Sequence, residues 1–297
     1  MNLCEVKVEI RHADTEQADN AQLELGVEGW CVYEDVLVKR AWVQGIFPTR
    51  VEADARWSEL LPLLEAAGVS LLEAPVFREM EERDWKDSYK AHFKPSRFGR
   101  LHWVPEWERQ SYALPAGDVV LWLDPGLAFG TGNHETTRLC CERLVSWAAT
   151  DNAALRGSRR IIDAGCGSGI LALSSSLLGY TSIEGFDNDP EAVRISEENA
   201  ALNGLQGRVR FFTGDLISGL EGRQADFLMA NILAVVLMQF SSQLLAAVAP
   251  GGTLVLSGIL AQERDQVRDH FAKAAPGWSV DSRIMGEWAD VVLVRPE

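Results

Sequence analysis

Two hydrophobic periods divide this chain. The opening residues alternate apolar and charged side chains, as in Val6, Lys7, Val8, Glu9 and Ile10, the period of a half-buried strand. The pattern predicts a strand over 3–10, a helix over 14–27, strands at 29–36 and 41–47, and a helix over 51–67, where Leu60, Leu61 and Leu64 fall at helical spacing. A β-α-β-β-α order of this size predicts a small α+β domain, ferredoxin-like in layout. Residues 79–95 are charged and aromatic, with Glu79, Glu81, Glu82, Asp84, Trp85, Lys86 and Tyr89. They read as a connecting helix that stops before Pro95. Strands follow near 100–104 and 118–123.

Beyond Gly157 strands and helices alternate. The pattern predicts strand Arg160–Asp163, helix Ile170–Leu178, strand Ser182–Asp187, helix Pro190–Asn203 and strand Val209–Thr213. Strand Asp226–Ala230, helix Ala234–Val248 and strand Thr253–Leu256 come next, and segments 278–285 and 290–294 close the sheet as an edge hairpin. Such alternation makes a mostly parallel sheet with helices on both faces. The expected organisation is an α/β fold: an N-terminal domain over 1–78, a linker over 79–97 and a Rossmann-like domain over 98–297.

Composition narrows the function classes. Of 297 residues 47% are hydrophobic, so the chain can bury a sizeable core. Asp plus Glu is 43 against 28 for Lys plus Arg, a formal charge of −15. That field repels phosphate backbones, so direct nucleic-acid binding is not expected, and it attracts basic partners. Solubility alone is the plainer explanation of the same charge. The cysteines are Cys4, Cys31, Cys140, Cys141 and Cys166, an odd number without a C-x-x-C pair. They argue against a disulfide framework or a zinc site and for reduced thiols in the cytosol. The strand pattern at the N-terminus is not that of a signal peptide, and no apolar run is long enough to span a bilayer.

Three motifs fall at strand ends. Asp163-Ala164-Gly165-Cys166-Gly167-Ser168-Gly169 joins a strand to a helix, where glycines let the backbone approach a ligand closely. A dinucleotide fingerprint needs its third glycine at position 170, which here is Ile170. Asp187 ends the next strand, where an acid accepts hydrogen bonds from ribose hydroxyls, and Asp189-Pro190 is an N-cap followed by proline at N1. The pair of motifs points to an adenosyl ligand without a pyrophosphate, S-adenosylmethionine. Asn231, at the end of strand 226–230, is a candidate to hold a substrate nitrogen, or simply caps the following helix. No general base stands out. His134 is a candidate for that role or a structural residue of its loop.

The segment Asp124-Pro125-Gly126-Leu127-Ala128-Phe129-Gly130-Thr131-Gly132-Asn133-His134-Glu135-Thr136-Thr137 is the most specific stretch. Together with Ile162–Leu171, Gly185–Pro190, Asn199–Gly204 and Ala230–Leu233 it resembles the PrmA family, which methylates the large-subunit ribosomal protein L11. Trp85, Phe93, Phe98-Gly99-Arg100 and Glu287-Trp288 match as well, so the resemblance covers about 83–295, with the N-terminal part similar in layout. It implies a methyltransferase domain joined by a flexible linker to a small domain that grips the substrate. It implies S-adenosylmethionine contacts at Thr137, Gly165, Asp187 and Asn231, to which the glycine turn adds Gly167. The expected substrate is the amino groups of L11, lysines or the N-terminal amine, and the expected enzyme is a cytoplasmic monomer. The alternative is a related lysine methyltransferase acting on another protein or a small molecule. A non-catalytic binding module is disfavoured because Asp187, Asn231 and the motif glycines are all present. The chain departs from the family pattern at Asn133 and Glu135, where Thr and Pro are usual. Asn133 remains able to cap the helix that follows, and Glu135 suits its first turn.

Overall fold

The computed structural model describes residues 3–25, 29–35, 39–80, 94–124 and 134–297. The chain divides into two units, Met1–His92 and Phe93–Glu297.

In the first unit the order is β1 (Leu3–Ile10), α1 (Thr15–Leu25), β2 (Trp30–Asp35), β3 (Arg40–Phe47), α2 (Arg50–Ala66) and β4 (Val76–Met80). The strands form one sheet in the order β2-β3-β1-β4, every pair antiparallel. This is the ferredoxin-like arrangement. The alternation of β1 buries Cys4, Val6, Val8 and Ile10 on one face. Ala41, Val43 and Phe47 of β3 join them beneath Trp57, Leu60 and Leu64 of α2. Thr49 starts α2 by accepting the Glu52 N–H at 3.2 Å.

β4 corrects the expected connecting helix at its start. Glu79 and Met80 belong to a strand that pairs with β1, so this strand passes the boundary expected at 78. The rest of that segment, 81–93, including Trp85 and Phe93, lies outside the described residues.

The second unit opens with β5 (Ser96–Phe98), β6 (Leu101–Pro105) and β7 (Val119–Leu123), a small sheet in that order. Then come α3 (Glu135–Thr150), β8 (Arg160–Ala164), α4 (Ile170–Leu177), β9 (Ser182–Asp187), α5 (Pro190–Leu202), β10 (Arg210–Thr213) and β11 (Ala225–Asn231). They are followed by α6 (Ala234–Gln239), α7 (Ser241–Ala246), β12 (Val248–Leu260), α8 (Arg264–Ala274), β13 (Ser279–Met285) and β14 (Trp288–Val294). The main sheet has seven strands in the order β10-β9-β8-β11-β12-β14-β13. β8 to β12 are parallel, and β14 and β13 add the antiparallel edge hairpin that the pattern predicts.

Neighbouring residues of the central strands feed different cores. Ile161 and Phe227 pack with Trp103, Leu144 and Tyr180, while Ile162 and Leu228 pack with Leu237, Leu254 and Phe271. A sheet covered on both faces therefore needs near-continuous apolar strands, which these are. The strand order reverses between β8 and β11, and ligands of open α/β sheets bind at the carboxyl ends beside such a reversal.

Two expectations need correction. The single helix over 234–248 is two short helices meeting at Phe240, and β12 begins at Val248, which pairs with Ala225. The chain leaves the helix early to enter the sheet, where the Ala247 carbonyl accepts the Ala225 N–H at 2.7 Å. Helix α8 does not emerge from the pattern, since Val267 and Phe271 are its only core residues.

Candidate active site

The site grows from the carboxyl ends of β8, β9 and β11. The chain leaves β8 through Gly165, Gly167 and Gly169, with φ of 73°, 52° and 74°. These left-handed conformations favour glycine. A Cβ on Gly165 would stand 2.6 Å from Ile232 Cγ2, so the turn and the end of β11 meet as closely as a bare backbone allows. The Gly165 and Cys166 N–H groups both donate to the Phe186 carbonyl at 2.9 Å, which ties the turn to β9.

Asp187 closes the other side. Its Oδ2 accepts the Gly167 N–H at 2.9 Å and its Oδ1 the Asp189 N–H at 3.1 Å. A carboxylate has about four acceptor positions, so two remain for hydroxyls of a ligand. Asp189 accepts the Glu191 N–H at 2.9 Å and caps α5 with Pro190 at its first position, as expected.

Several residues that shape the turn are not apparent in the motif spacing. Ser196 Oγ donates to the Gly167 carbonyl at 2.8 Å, and Asn199 Nδ2 donates to the Ser168 carbonyl at 2.9 Å. Both side chains come from α5 at i, i+3 spacing, which puts them on one face. The sequence signal for them is that spacing opposite a glycine turn.

Asp163 lies beneath the turn, 1% exposed, with Oδ2 accepting the Ala172 N–H at 3.1 Å. Burial pushes its carboxyl up to about 7, the Ala172 N–H opposes that rise, and the Asp187 charge adds to it. A carboxylate ending a strand with Ile161 and Ile162 is the signal that marks it.

The remaining wall is the start of α3. Its N-cap is His134, not Asn133, which falls in the stretch 125–133 outside the described residues. The His134 ring holds Nδ1 2.9 Å from Thr136 Oγ1 and packs edge-on against Trp288, centroids 4.7 Å apart. These contacts favour the structural reading of His134. Ser257 Oγ of β12 donates to the Thr136 carbonyl at 3.0 Å. Thr137 is 2% exposed, and its Oγ1 accepts a hydrogen bond from Asn231 Nδ2 at 3.3 Å. Asn203 accepts the Trp122 N–H at 2.7 Å and donates to the Trp122 carbonyl at 2.9 Å, fixing the end of β7 where the Asp124 segment departs.

All five sequence-predicted site residues, Thr137, Gly165, Gly167, Asp187 and Asn231, are thus linked through the ends of β8, β9, β11 and α3. A side chain on Gly165 would run into Ile232, next to Asn231, while the Gly167 N–H binds Asp187 and Asn231 binds Thr137. The partly used Asp187 carboxylate, beside a turn that three glycines hold in left-handed geometry, fits the hydroxyls of an adenosyl ligand. Among the described residues no cluster of His, Cys, Asp and Glu is suited to a metal ion, and no helix is long and apolar enough to cross a membrane.

Comparison with known proteins agrees with this geometry. The family model described as ribosomal protein L11 methyltransferase (PrmA) matches residues 2–296, so the likeness extends through the N-terminal unit. A ribosomal protein L11 methyltransferase of Pseudomonas paraeruginosa is 39% identical over 90% of this chain and 90% of its own. One from Streptococcus pneumoniae is 32% identical over 98% and 95%. The crystal structure of a ribosomal protein L11 methylase from Lactobacillus delbrueckii subsp. bulgaricus aligns over 69% of this chain and 100% of its own, with TM-score 0.60 and 29% identity. This chain belongs to the PrmA family of ribosomal protein L11 methyltransferases, enzymes of the S-adenosylmethionine-dependent methyltransferase fold.

Proposed function

We propose that this protein transfers methyl groups from S-adenosylmethionine to amino groups of ribosomal protein L11, on lysine side chains, the N-terminal amine or both. The observation that carries this reading is the junction of the glycine turn, Asp187 and Asn231 at neighbouring strand ends. In it Gly165, Gly167, Asp187 and Thr137 hold the cofactor, and Asn231 holds the amine. S-adenosylmethionine supplies a methyl group on a cationic sulfur that departs as a neutral thioether.

The chain's own part is chiefly positioning. Placing two reactants in attack geometry replaces a bimolecular encounter and accounts for a large share of such rate enhancements. The amine must arrive neutral, and a lysine with reference pKa about 10.4 is mostly charged at pH 7. The Asn231 oxygen accepts an amine N–H and aims the nitrogen lone pair, but an amide cannot take the proton, which passes to water. The N-terminal unit, 1–78 in this reading, captures the protein substrate, 79–97 links it to the catalytic unit, and the enzyme works as a cytosolic monomer.

Radiolabelled S-adenosylmethionine with ribosome-containing and ribosome-depleted lysates tests the reading. A single labelled band that co-migrates with L11 and disappears with the ribosomes is expected. Label on a different protein, or cofactor binding without any transfer, would overturn it.

A further inference from the structure

We infer that Ser257 is a positioning residue for the transfer: it ties the strand end that carries Asn231 to the start of α3, which carries Thr137, and so fixes the amine relative to the methyl group. The inference rests on the amine-holding role of Asn231 proposed above. It gives a function to a residue outside both the cofactor contacts and the amine contact.

The two reactants are held by different elements, since Thr137 stands on α3 and Asn231 ends β11. A misplacement of about 1 Å between bound reactants can cost about a hundredfold in rate, so the spacing of these elements matters as much as their contacts. Ser257 is bonded to both. In the parallel ladder it stands opposite Asn231, and its carbonyl accepts the Ile232 N–H at 3.2 Å. Its hydroxyl reaches α3 and donates to the Thr136 carbonyl at 3.0 Å. A carbonyl can only accept, so the hydroxyl proton is committed to this bond. The Cys140 thiol, one turn along α3, also interacts with the hydroxyl. Burial pushes that thiol well up, so it keeps its proton and is a weak acceptor. Ser257 is 0% exposed, so water does not stand in for the clamp.

The local backbone aims Ser257 at both elements. Between Leu256 and Ile259 the pairing of β12 with β14 slips, three residues advancing on β12 for two on β14. This is a bulge, a device that re-aims a side chain and recurs beside active sites. Gly258 permits it: its φ is 80°, and a Cβ there would run into the Ile232 carbonyl. The bulge is therefore packed directly against the residue that follows Asn231.

A double-mutant cycle gives the test. Single-turnover transfer to L11 at saturating cofactor and L11, cofactor dissociation constants and urea midpoints are measured for wild type, Ser257→Ala, Asn231→Ala and the double variant. Ser257→Ala keeps the backbone bond to Ile232 and removes the clamp on Thr136. It should slow the saturated rate about fivefold, within the worth of one hydrogen bond. On the Asn231→Ala background the same change should cost less than about twofold, because an amine that Asn231 does not hold gains nothing from where Asn231 stands. If Asn231→Ala leaves no measurable transfer, Asn231→Ser takes its place in the cycle.

A saturated rate equal to wild type in Ser257→Ala, with changes only in cofactor affinity or urea midpoint, would make Ser257 a structural residue and overturn the inference. A penalty undiminished on the Asn231→Ala background would show that it does not act through Asn231. An Asn231→Ala variant that transfers at the wild-type rate would remove the proposed role of Asn231 itself. A large loss in Asn231→Ala together with an unaffected Ser257→Ala would remove only the present inference.

Discussion

Replacing Asp163 by asparagine should change how stability depends on pH. Asp163 is 1% exposed, and burial pushes its carboxyl up to about 7. In the unfolded chain an aspartate titrates near 3.9. Between those values the unfolded state is ionised while the folded state keeps its proton, so the folded state binds more protons and stability falls as pH rises. The stability this group provides is complete below the unfolded value, declines through the window from about 4 to about 7, and levels off above it. A separation of about three pH units corresponds to about 4 kcal/mol across the window, of which roughly 3 kcal/mol falls between pH 5 and pH 8. Asparagine keeps the oxygen that accepts the Ala172 N–H and cannot ionise. Its extra N–H donors impose a cost of about 1–3 kcal/mol if unpaired, but that cost is the same at both pH values. The measurement is urea unfolding of the cofactor-free wild type and Asp163→Asn at pH 5 and pH 8, followed by tryptophan fluorescence. The variant should gain roughly 3 kcal/mol on wild type over that interval in the transition of the unit Phe93–Glu297. Parallel pH dependences would show that the Asp163 charge is accommodated in the folded protein and would refute the reasoning.

Three further outcomes are expected. Asp187→Ala should weaken S-adenosylmethionine binding by about 1–3 kcal/mol in calorimetry, because it removes the acceptor for the Gly167 and Asp189 N–H groups as well as for ligand hydroxyls; unchanged affinity would remove the assignment. Arg143→Met should destabilise the catalytic unit by about 3 kcal/mol in denaturant titration, since it removes the two hydrogen bonds of 2.7 and 2.8 Å that Arg143 gives Asp290, which is 0% exposed, and leaves it the Arg283 N–H at 2.7 Å; a loss below about 1 kcal/mol would mean that Arg283 holds the carboxylate without Arg143. With a charge of −15, kcat/KM for a basic protein substrate should fall as salt rises while cofactor affinity changes far less, and a salt-independent kcat/KM would exclude electrostatic steering.

The parts of this fold that the sequence discloses are those governed by short-range rules. Strand Ser182–Asp187 and the cap at Asp189-Pro190 are local, and both stand where the pattern puts them. The glycine turn is legible because its three residues with positive φ leave few alternatives to glycine. What escapes is either weakly patterned or distant in sequence. Helix α8 turns only Val267 and Phe271 inward, too narrow a stripe to stand out among Arg, Asp and Gln. The helix expected over 234–248 shows how a continuous apolar composition hides a break, since Val248 and Ala249 are as apolar as the helix before them but belong to β12. Contacts such as Asn231 with Thr137, or Ser257 with Thr136, join residues about a hundred positions apart. No period reveals such pairs, because they arise only when β11 and β12 lie side by side against the start of α3.

Methyl transfer to the amines of ribosomal protein L11 is the activity on which the other roles depend. Intact-mass and peptide mass spectrometry of purified L11, incubated with this protein and S-adenosylmethionine, tests it most directly. Mass additions in whole methyl units are expected on lysine side chains or the N-terminal amine, diminished in Asn231→Ala under conditions where that variant still binds the cofactor. An unmodified L11 in the presence of wild-type protein with bound cofactor would contradict it.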